Sequence, residues 1–161
     1  MMKRLATLFG RGEPVLSDAS SRDASGIATL HALSFRRGWS EQEVEALLTD
    51  RHVFAHRATL GGKLVGFIMS RRVEDEAEIL SVAVARAHQG AGLARGLLDL
   101  HLRRSAGLGA RTVFLEVDEH NRHAIRLYDR AGFIEVARRP HYYASGGGSA
   151  AAALVLRRDL A

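Results

Sequence analysis

Three places in this sequence carry groups that could do chemistry. The run Gln89-Gly90-Ala91-Gly92-Leu93-Ala94 stands between an apolar stretch and an amphipathic one. Glycines there let backbone approach a ligand closely, and the free N–H groups at a helix start form a nest for phosphate oxygens. A purely structural turn asks for glycine too, so the run by itself reads either way. It lacks the lysine of a Walker loop and the full GxGxxG of a dinucleotide fold, which leaves ATP and NAD unsupported. Glu116 is the second place. In Val113-Phe114-Leu115-Glu116-Val117, strand alternation puts Val113, Leu115 and Val117 on one face and Phe114 and Glu116 on the other, so the carboxylate faces solvent or a cleft. Tyr128 is the third. It shares a helix face with Ala124 and Ala131, as a core tyrosine or as a phenol aimed into a cleft to donate a proton. The eight histidines include His52/His56 and His120/His123, but none matches HExxH or a facial triad, so no metal is expected.

The elements that must hold these groups follow from periodicity and turn signals. Ala24, Ile27 and Leu30 give a helical pattern over about 22 to 35, and a second helix opens at Ser40 with Glu43 completing a capping box, turning Val44, Leu47 and Leu48 to the core. Residues 52 to 59 and 63 to 70 read as a hairpin about Gly61-Gly62, because paired glycines accept the positive φ of a tight turn. A strand over 76 to 85 ends in Ile79-Leu80-Ser81-Val82-Ala83-Val84. After the glycine run, a helix sets Leu93, Leu97 and Leu100 on one face, flanked by Ala94, Leu98 and Leu102, and stops at Gly107 and Gly109. A strand over 112 to 117 leads to Asn121, the N-cap of a helix that runs to about Ala131 and closes at Gly132. Strands at about 133 to 139 and 151 to 157 finish the chain, joined by a loop containing Ser145-Gly146-Gly147-Gly148-Ser149. This order predicts a mixed α/β sheet with helices on its faces and no internal repeat.

Composition bounds the function classes. A chain of 161 residues suits one domain, here 13 to 161, with 1 to 12 read as a loose extension around Gly10-Arg11-Gly12. Hydrophobic residues at 47% and charged residues at 25% exclude a disordered protein. Apolar runs too short for a membrane helix, and a start too short for a secretory h-region, predict a cytoplasmic protein. Zero cysteines exclude disulfides, thiol nucleophiles and cysteine-based zinc sites. The net charge, 23 − 18 = +5, favours an anionic partner. Aromatics at 6% and basic residues scattered in pairs argue against a nucleic-acid reader, so a phosphorylated small molecule fits better.

Taken together, the strand Ile79 to Val84, the glycine run, Leu115-Glu116-Val117, Asn121 and Ala124-Ile125-Arg126-Leu127-Tyr128-Asp129-Arg130-Ala131-Gly132-Phe133 resemble the GNAT acetyltransferase family. Within it the chain is similar to the RimI group, which acetylates the N-terminal alanine of ribosomal protein S18. Gly38-Trp39-Ser40, Asn121 five positions and Tyr128 twelve positions beyond Glu116, and Arg138-Arg139-Pro140-His141-Tyr142-Tyr143 carry that likeness. The resemblance implies a mixed, mostly antiparallel sheet splayed at the cofactor site, with acetyl-CoA as co-substrate. It implies that Val82, Ala83 and Val84 bond the pantetheine arm, that Gly90, Ala91, Gly92, Leu93, Ala94 and Arg95 wrap the pyrophosphate, and that Asn121 touches the coenzyme. Glu116 is then the general base and Tyr128 the general acid, facing a common cleft on either side of the thioester. Ala94 replaces a more usual glycine, Ser81 stands where the group often has asparagine, and the glycine-serine loop replaces a more polar stretch. The implied acceptor is a protein N-terminus resembling that of ribosomal protein S18. Because such N-termini are basic, an acidic groove is expected, supplied by Asp118, Glu119 and Glu74-Asp75-Glu76. A lysine side chain, a small amine, or acyl-CoA binding without turnover are the competing readings.

Overall fold

A computed structural model describes residues 12–143 and 151–160, so the expected extension (Gly12 apart) and the glycine-serine loop lie outside the described residues. Local signals set most of the elements. Gly61 and Gly62 take φ of +58° and +78° and join β2 (Val53–Leu60) to β3 (Lys63–Val73), a turn whose positive φ values suit glycine. Asn121 Oδ1 accepts from the Ala124 N–H at 3.2 Å and starts α4 (Arg122–Arg130), and Gly132 at φ +91° follows its end. Ser40 Oγ accepts from the Glu43 N–H at 3.1 Å and starts α2 (Glu41–Thr49). The reciprocal capping box sits earlier, at Ser20 and Asp23, and opens a 3-10 turn (Ser21–Asp23) that leads into α1 (Ala24–Ser34).

β1 (Val15–Asp18), β4 (Glu76–Val84), β5 (Thr112–Asp118), β6 (Ile134–Tyr143) and β7 (Ala151–Asp159) complete a seven-stranded sheet in the order β1-β2-β3-β4-β5-β7-β6. All neighbours are antiparallel except β4 and β5. Against β3, Met69 pairs with Ser81 and Ser70 with Ile79, so Leu80 is an extra residue in β4, a bulge that bends the strand and adds twist. The parallel ladder to β5 covers Glu76–Ile79 against Thr112–Leu115. Beyond it the strands part, while β4 stays paired to β3 as far as Val84↔Gly66 and β5 to β7 as far as Asp118↔Ala153.

Two cores cover the sheet. On one face α1 and α2 pack Ile27, Leu30 and Val44 against Phe67, Met69 and Ala83. On the other, α3 (Leu93–Gly107) and α4 pack Leu97, Leu98, Leu102 and Tyr128 against Ile68, Ile79, Val113, Leu115 and Val117. The buried stripe of α3 departs from the expected one. It runs Leu93, Leu97, Leu98, His101, Leu102 and Ser105, leaving Leu100 half-buried. Counting apolar residues misses this stripe because two of its members are polar, Ser105 being satisfied within the helix and His101 by partners on the sheet. Ser105 Oγ donates to the His101 carbonyl at 2.7 Å, His101 Nε2 lies 2.6 Å from Ser70 Oγ, and His101 Nδ1 lies 2.7 Å from His56 Nδ1. His56 Nε2 in turn reaches Asp18 Oδ1 at 3.3 Å.

A carboxylate only accepts, so neutral rings satisfy this chain in one direction: Ser70 donates to His101, His101 to His56, and His56 to Asp18. A second proton on His56 would set its Nδ1–H against that of His101, and one on His101 would force Ser70 Oγ to turn from donor to acceptor. Burial, chiefly, pushes His56 below the ordinary histidine range and His101 well below it. In the unfolded chain both rings take protons near pH 6.5 that the folded protein binds only at lower pH. Stability is therefore complete above about pH 6.5 and is lost as pH falls below it. Thermal unfolding followed by circular dichroism should show a lower Tm at pH 5 than at pH 7.5. His101→Leu should flatten that slope while costing about 1–3 kcal/mol at pH 7.5, because Ser70 and His56 lose a buried partner.

Candidate active site

The parting of β4 and β5 opens a cleft of about 770 Å³ toward α3 and α4. Its walls carry every residue expected to hold the coenzyme except Ala91: Val82, Ala83 and Val84 from β4, Gly90, Gly92, Leu93, Ala94 and Arg95 from the glycine turn and α3, and Asn121 before α4. Gly90 and Gly92 stand at φ +83° and +80°, and a Cβ on either would meet nothing within 4 Å, so the turn is open on the side where a ligand would approach. No side chain caps Gly92, which leaves the first-turn N–H groups of α3 for a ligand or solvent. Gln89 anchors the turn by donating from Nε2 to the Val84 carbonyl at 3.0 Å. These features fit a phosphorylated ligand, and so does the charge: Arg95, Arg126, Arg130, His88 and His123 also line the cleft. Arg126 and Arg130 stand at i, i+4 on α4 with His123 three residues before Arg126, a basic stripe whose helical spacing is legible in the sequence.

Tyr128 lines this cleft while its ring packs edge-on against Phe133 at 5.6 Å, so the core and cleft readings both hold. Burial pushes its phenol up to about 12. Among the described residues its hydroxyl has no hydrogen-bond partner. It is a phenol kept protonated, with its proton uncommitted.

Glu116 lies elsewhere. Val113, Leu115 and Val117 point into the core under α3 and α4, as alternation requires, and Glu116 and Phe114 point to the opposite face. There they line a second cavity of about 300 Å³ with Arg71, Glu76, Glu78, Arg139 and Val155. The expected common cleft is not seen: Tyr128 lines the large cleft and Glu116 the second cavity, whose other β4 and β5 residues belong to the paired stretch. Glu116 Oε1 is 3.1 Å from Arg139 Nη1. The acidic groove also differs from expectation. Glu119 is spent on Arg138 at 2.7 Å and on the Ala152 N–H at 3.1 Å, and Asp118 Oδ1 accepts from the His120 N–H at 2.8 Å. Of the expected acidic residues Glu76 alone lines the second cavity, joined by Glu78, which was not anticipated.

Residues 24–133 match the acetyltransferase (GNAT) family, to which the chain belongs, and the mixed sheet with a strand bulged and parted beside a glycine-turn helix is its GNAT fold. It is an acetyl-CoA-dependent N-acetyltransferase. It is 34% identical to the [ribosomal protein bS18]-alanine N-acetyltransferase of Escherichia coli strain K12 over 104 residues, 65% of this chain and 70% of that one. The crystal structure of the ribosomal-protein-S18-alanine N-acetyltransferase from Escherichia coli shares the fold at a TM-score of 0.86 and 26% identity, covering 92% of this chain and 95% of that one. Arabidopsis thaliana NAA60 in complex with acetyl-CoA has the same fold, with a TM-score of 0.80, 19% identity and coverage of 91% and 98%. Among the described residues no helix is long and apolar enough to cross a membrane.

Gly92→Asp tests the phosphate nest. It sets a carboxylate and a strained φ where the α3 N–H groups emerge, so calorimetry should show acetyl-CoA affinity weakened at least tenfold with the fold retained.

Proposed function

We propose that this enzyme acetylates a protein N-terminal α-amine in the cytoplasm, that of ribosomal protein S18 or a similar N-terminus beginning with alanine. Glu116 serves as general base and Tyr128 as general acid. The observation that supports this reading is a phenol kept protonated in the large cleft at the parted strands, with the carboxylate of Glu116 in a second cavity on β5, one residue past the last position paired to β4. The acetyltransferase of Escherichia coli that acts on ribosomal protein bS18 alanine supports the acceptor.

Acetyl-CoA, when bound, supplies an activated acetyl thioester and leaves as coenzyme A. The edge of β4 at Val82, Ala83 and Val84 hydrogen-bonds the amides of the pantetheine arm, and the glycine turn with Arg95 and Asn121 holds the phosphates and the adjoining coenzyme. An α-amine with a free pKa of about 7.7–8.0 must lose a proton to attack, and Glu116 accepts it, directly or through a water. Backbone N–H groups near Ala83 and Val84 donate to the negative charge that develops on the acetyl oxygen. Tyr128 gives its proton to the departing thiolate, and burial keeps that proton in place across the neutral range. No covalent enzyme intermediate is needed, which suits a chain without cysteine.

Glu116→Gln should lower turnover by roughly 10²–10⁴ with acetyl-CoA binding nearly unchanged, as measured by thiol release and calorimetry. Tyr128→Phe should also slow transfer. Since the phenol titrates at about 12, the wild-type rate should show no alkaline limb from this residue below about pH 10. Retention of wild-type rates by both variants would remove the assigned acid and base. The acceptor is tested by competition between an alanine-starting peptide and the same peptide with a blocked N-terminus and one free lysine. Mass spectrometry should find the α-amine product dominant, and dominance of the lysine product would overturn the acceptor.

A further inference from the structure

The large cleft carries two kinds of anion-binding group. At its glycine turn the donors are backbone N–H groups from the uncapped start of α3. Along α4 they are side chains, Arg126 and Arg130 about one turn apart on a face shared with His123. All three are exposed, and among the described residues none has a hydrogen-bond or ion-pair partner. Asp129, three residues on from Arg126, forms no ion pair with it. Arg95, the remaining guanidinium of the cleft, is committed instead to Asp99 Oδ1 at 3.0 Å. Like charges at i, i+4 repel, so Arg126 and Arg130 oppose the helix that carries them, and an anion bound between them removes that repulsion.

We infer that Arg126 and Arg130 form the subsite for the 3′-phosphate on the coenzyme's ribose, so that the enzyme selects acetyl-CoA over the form lacking that group. The inference rests on the placement of the pyrophosphate at the glycine turn proposed above. Acetyl-CoA carries two phosphate groupings of different chemistry. The pyrophosphate lies within the chain of the molecule with one negative charge on each phosphorus, and backbone N–H groups at a helix start suit it. The 3′-phosphate is a terminal monoester with a charge of about −1.5 to −2 at pH 7 and three free acceptor oxygens. Two guanidinium groups nearly cancel that charge and offer paired N–H donors in a fixed fork, which matches a phosphate better than a point charge does. Arg95 brings less net charge to the cleft because Asp99 accompanies it. The division of labour is therefore backbone donors for the pyrophosphate and the α4 pair for the monoester.

The probes are acetyl-CoA and acetyl-dephospho-CoA, which lacks only the 3′-phosphate. The readout is the ratio of their Kd values in calorimetry, because any effect on the part the two ligands share cancels in the ratio. Wild-type enzyme should bind acetyl-CoA about tenfold tighter or more, the worth of hydrogen bonds from charged donors. Arg126→Gln combined with Arg130→Gln should bring the ratio to within about threefold of unity, chiefly by losing affinity for acetyl-CoA. Both positions are exposed and glutamine suits a helix as well as arginine does, so circular dichroism should show the fold kept. Arg126→Lys combined with Arg130→Lys should keep part of the ratio, since charge survives while the fork is lost. Arg95→Gln should leave the ratio within about twofold of wild type. A wild-type ratio near one, an unchanged ratio in the glutamine double variant, or collapse of the ratio in Arg95→Gln would overturn the inference and leave the acetyltransferase standing. Gly92→Asp tests the placement underneath it: both ligands should weaken alike, and unchanged affinity for both would overturn the pyrophosphate site and this inference with it.

Discussion

The loss of pairing between β4 and β5 is the constraint on which the rest of the site depends. Each strand stays zipped to its outer neighbour, β4 to β3 and β5 to β7, while the bulge at Leu80 twists β4 away from its parallel partner beyond Ile79. Backbone groups on facing strand edges need partners, so a gap inside a sheet is stable only where solvent or a ligand can enter it. An extended arm bearing amides meets that need as a missing strand would. The large cleft opens at this parting, while the second cavity lies mostly over the stretch where β4 and β5 are still paired.

The electrostatics of the two cavities differ in kind. The large cleft is basic and presents backbone N–H groups from an uncapped helix start, which suits phosphates. The small one mixes three carboxylates, Glu76, Glu78 and Glu116, with the guanidinium groups of Arg71 and Arg139, which suits a ligand that is itself polar at two points. Net charge, +5 for the whole chain, speaks for the first and is silent about the second.

The face that carries α3 shows how polar residues enter a core. His101 is fully buried at a position where α3 crosses the sheet, and it is tolerated because Ser70 and His56 complete its hydrogen bonds and Asp18 completes those of His56. That helix also presents the glycine turn at its start, so the seating of α3 on β1 to β4 also fixes where its first-turn N–H groups emerge.

Local signals in the sequence determined a good deal by themselves: the Gly61-Gly62 hairpin, the Asn121 and Ser40 caps, the alternation that turns Glu116 away from the core, and the glycine turn ahead of Leu93 all depend on neighbours a few residues apart. The residues expected at the coenzyme line one cleft because they follow the ends of adjacent elements in chain order. Register and reach across the sheet were decided by tertiary structure alone. The bulge at Leu80 appears only in the pairing of β3 with β4, and Arg139 meets Glu116 only because β7 inserts between β5 and β6. Asp118 and Glu119 read as groove acids until the fold commits them to His120, Arg138 and Ala152. The same holds for His101, which a helical wheel sets within the apolar stripe but whose hydrogen bonds are completed only when His56 and Ser70 arrive from strands 45 and 31 residues away. Backbone preferences act over a turn or two, whereas the partner of a buried or paired polar group is chosen by which strands the sheet brings side by side.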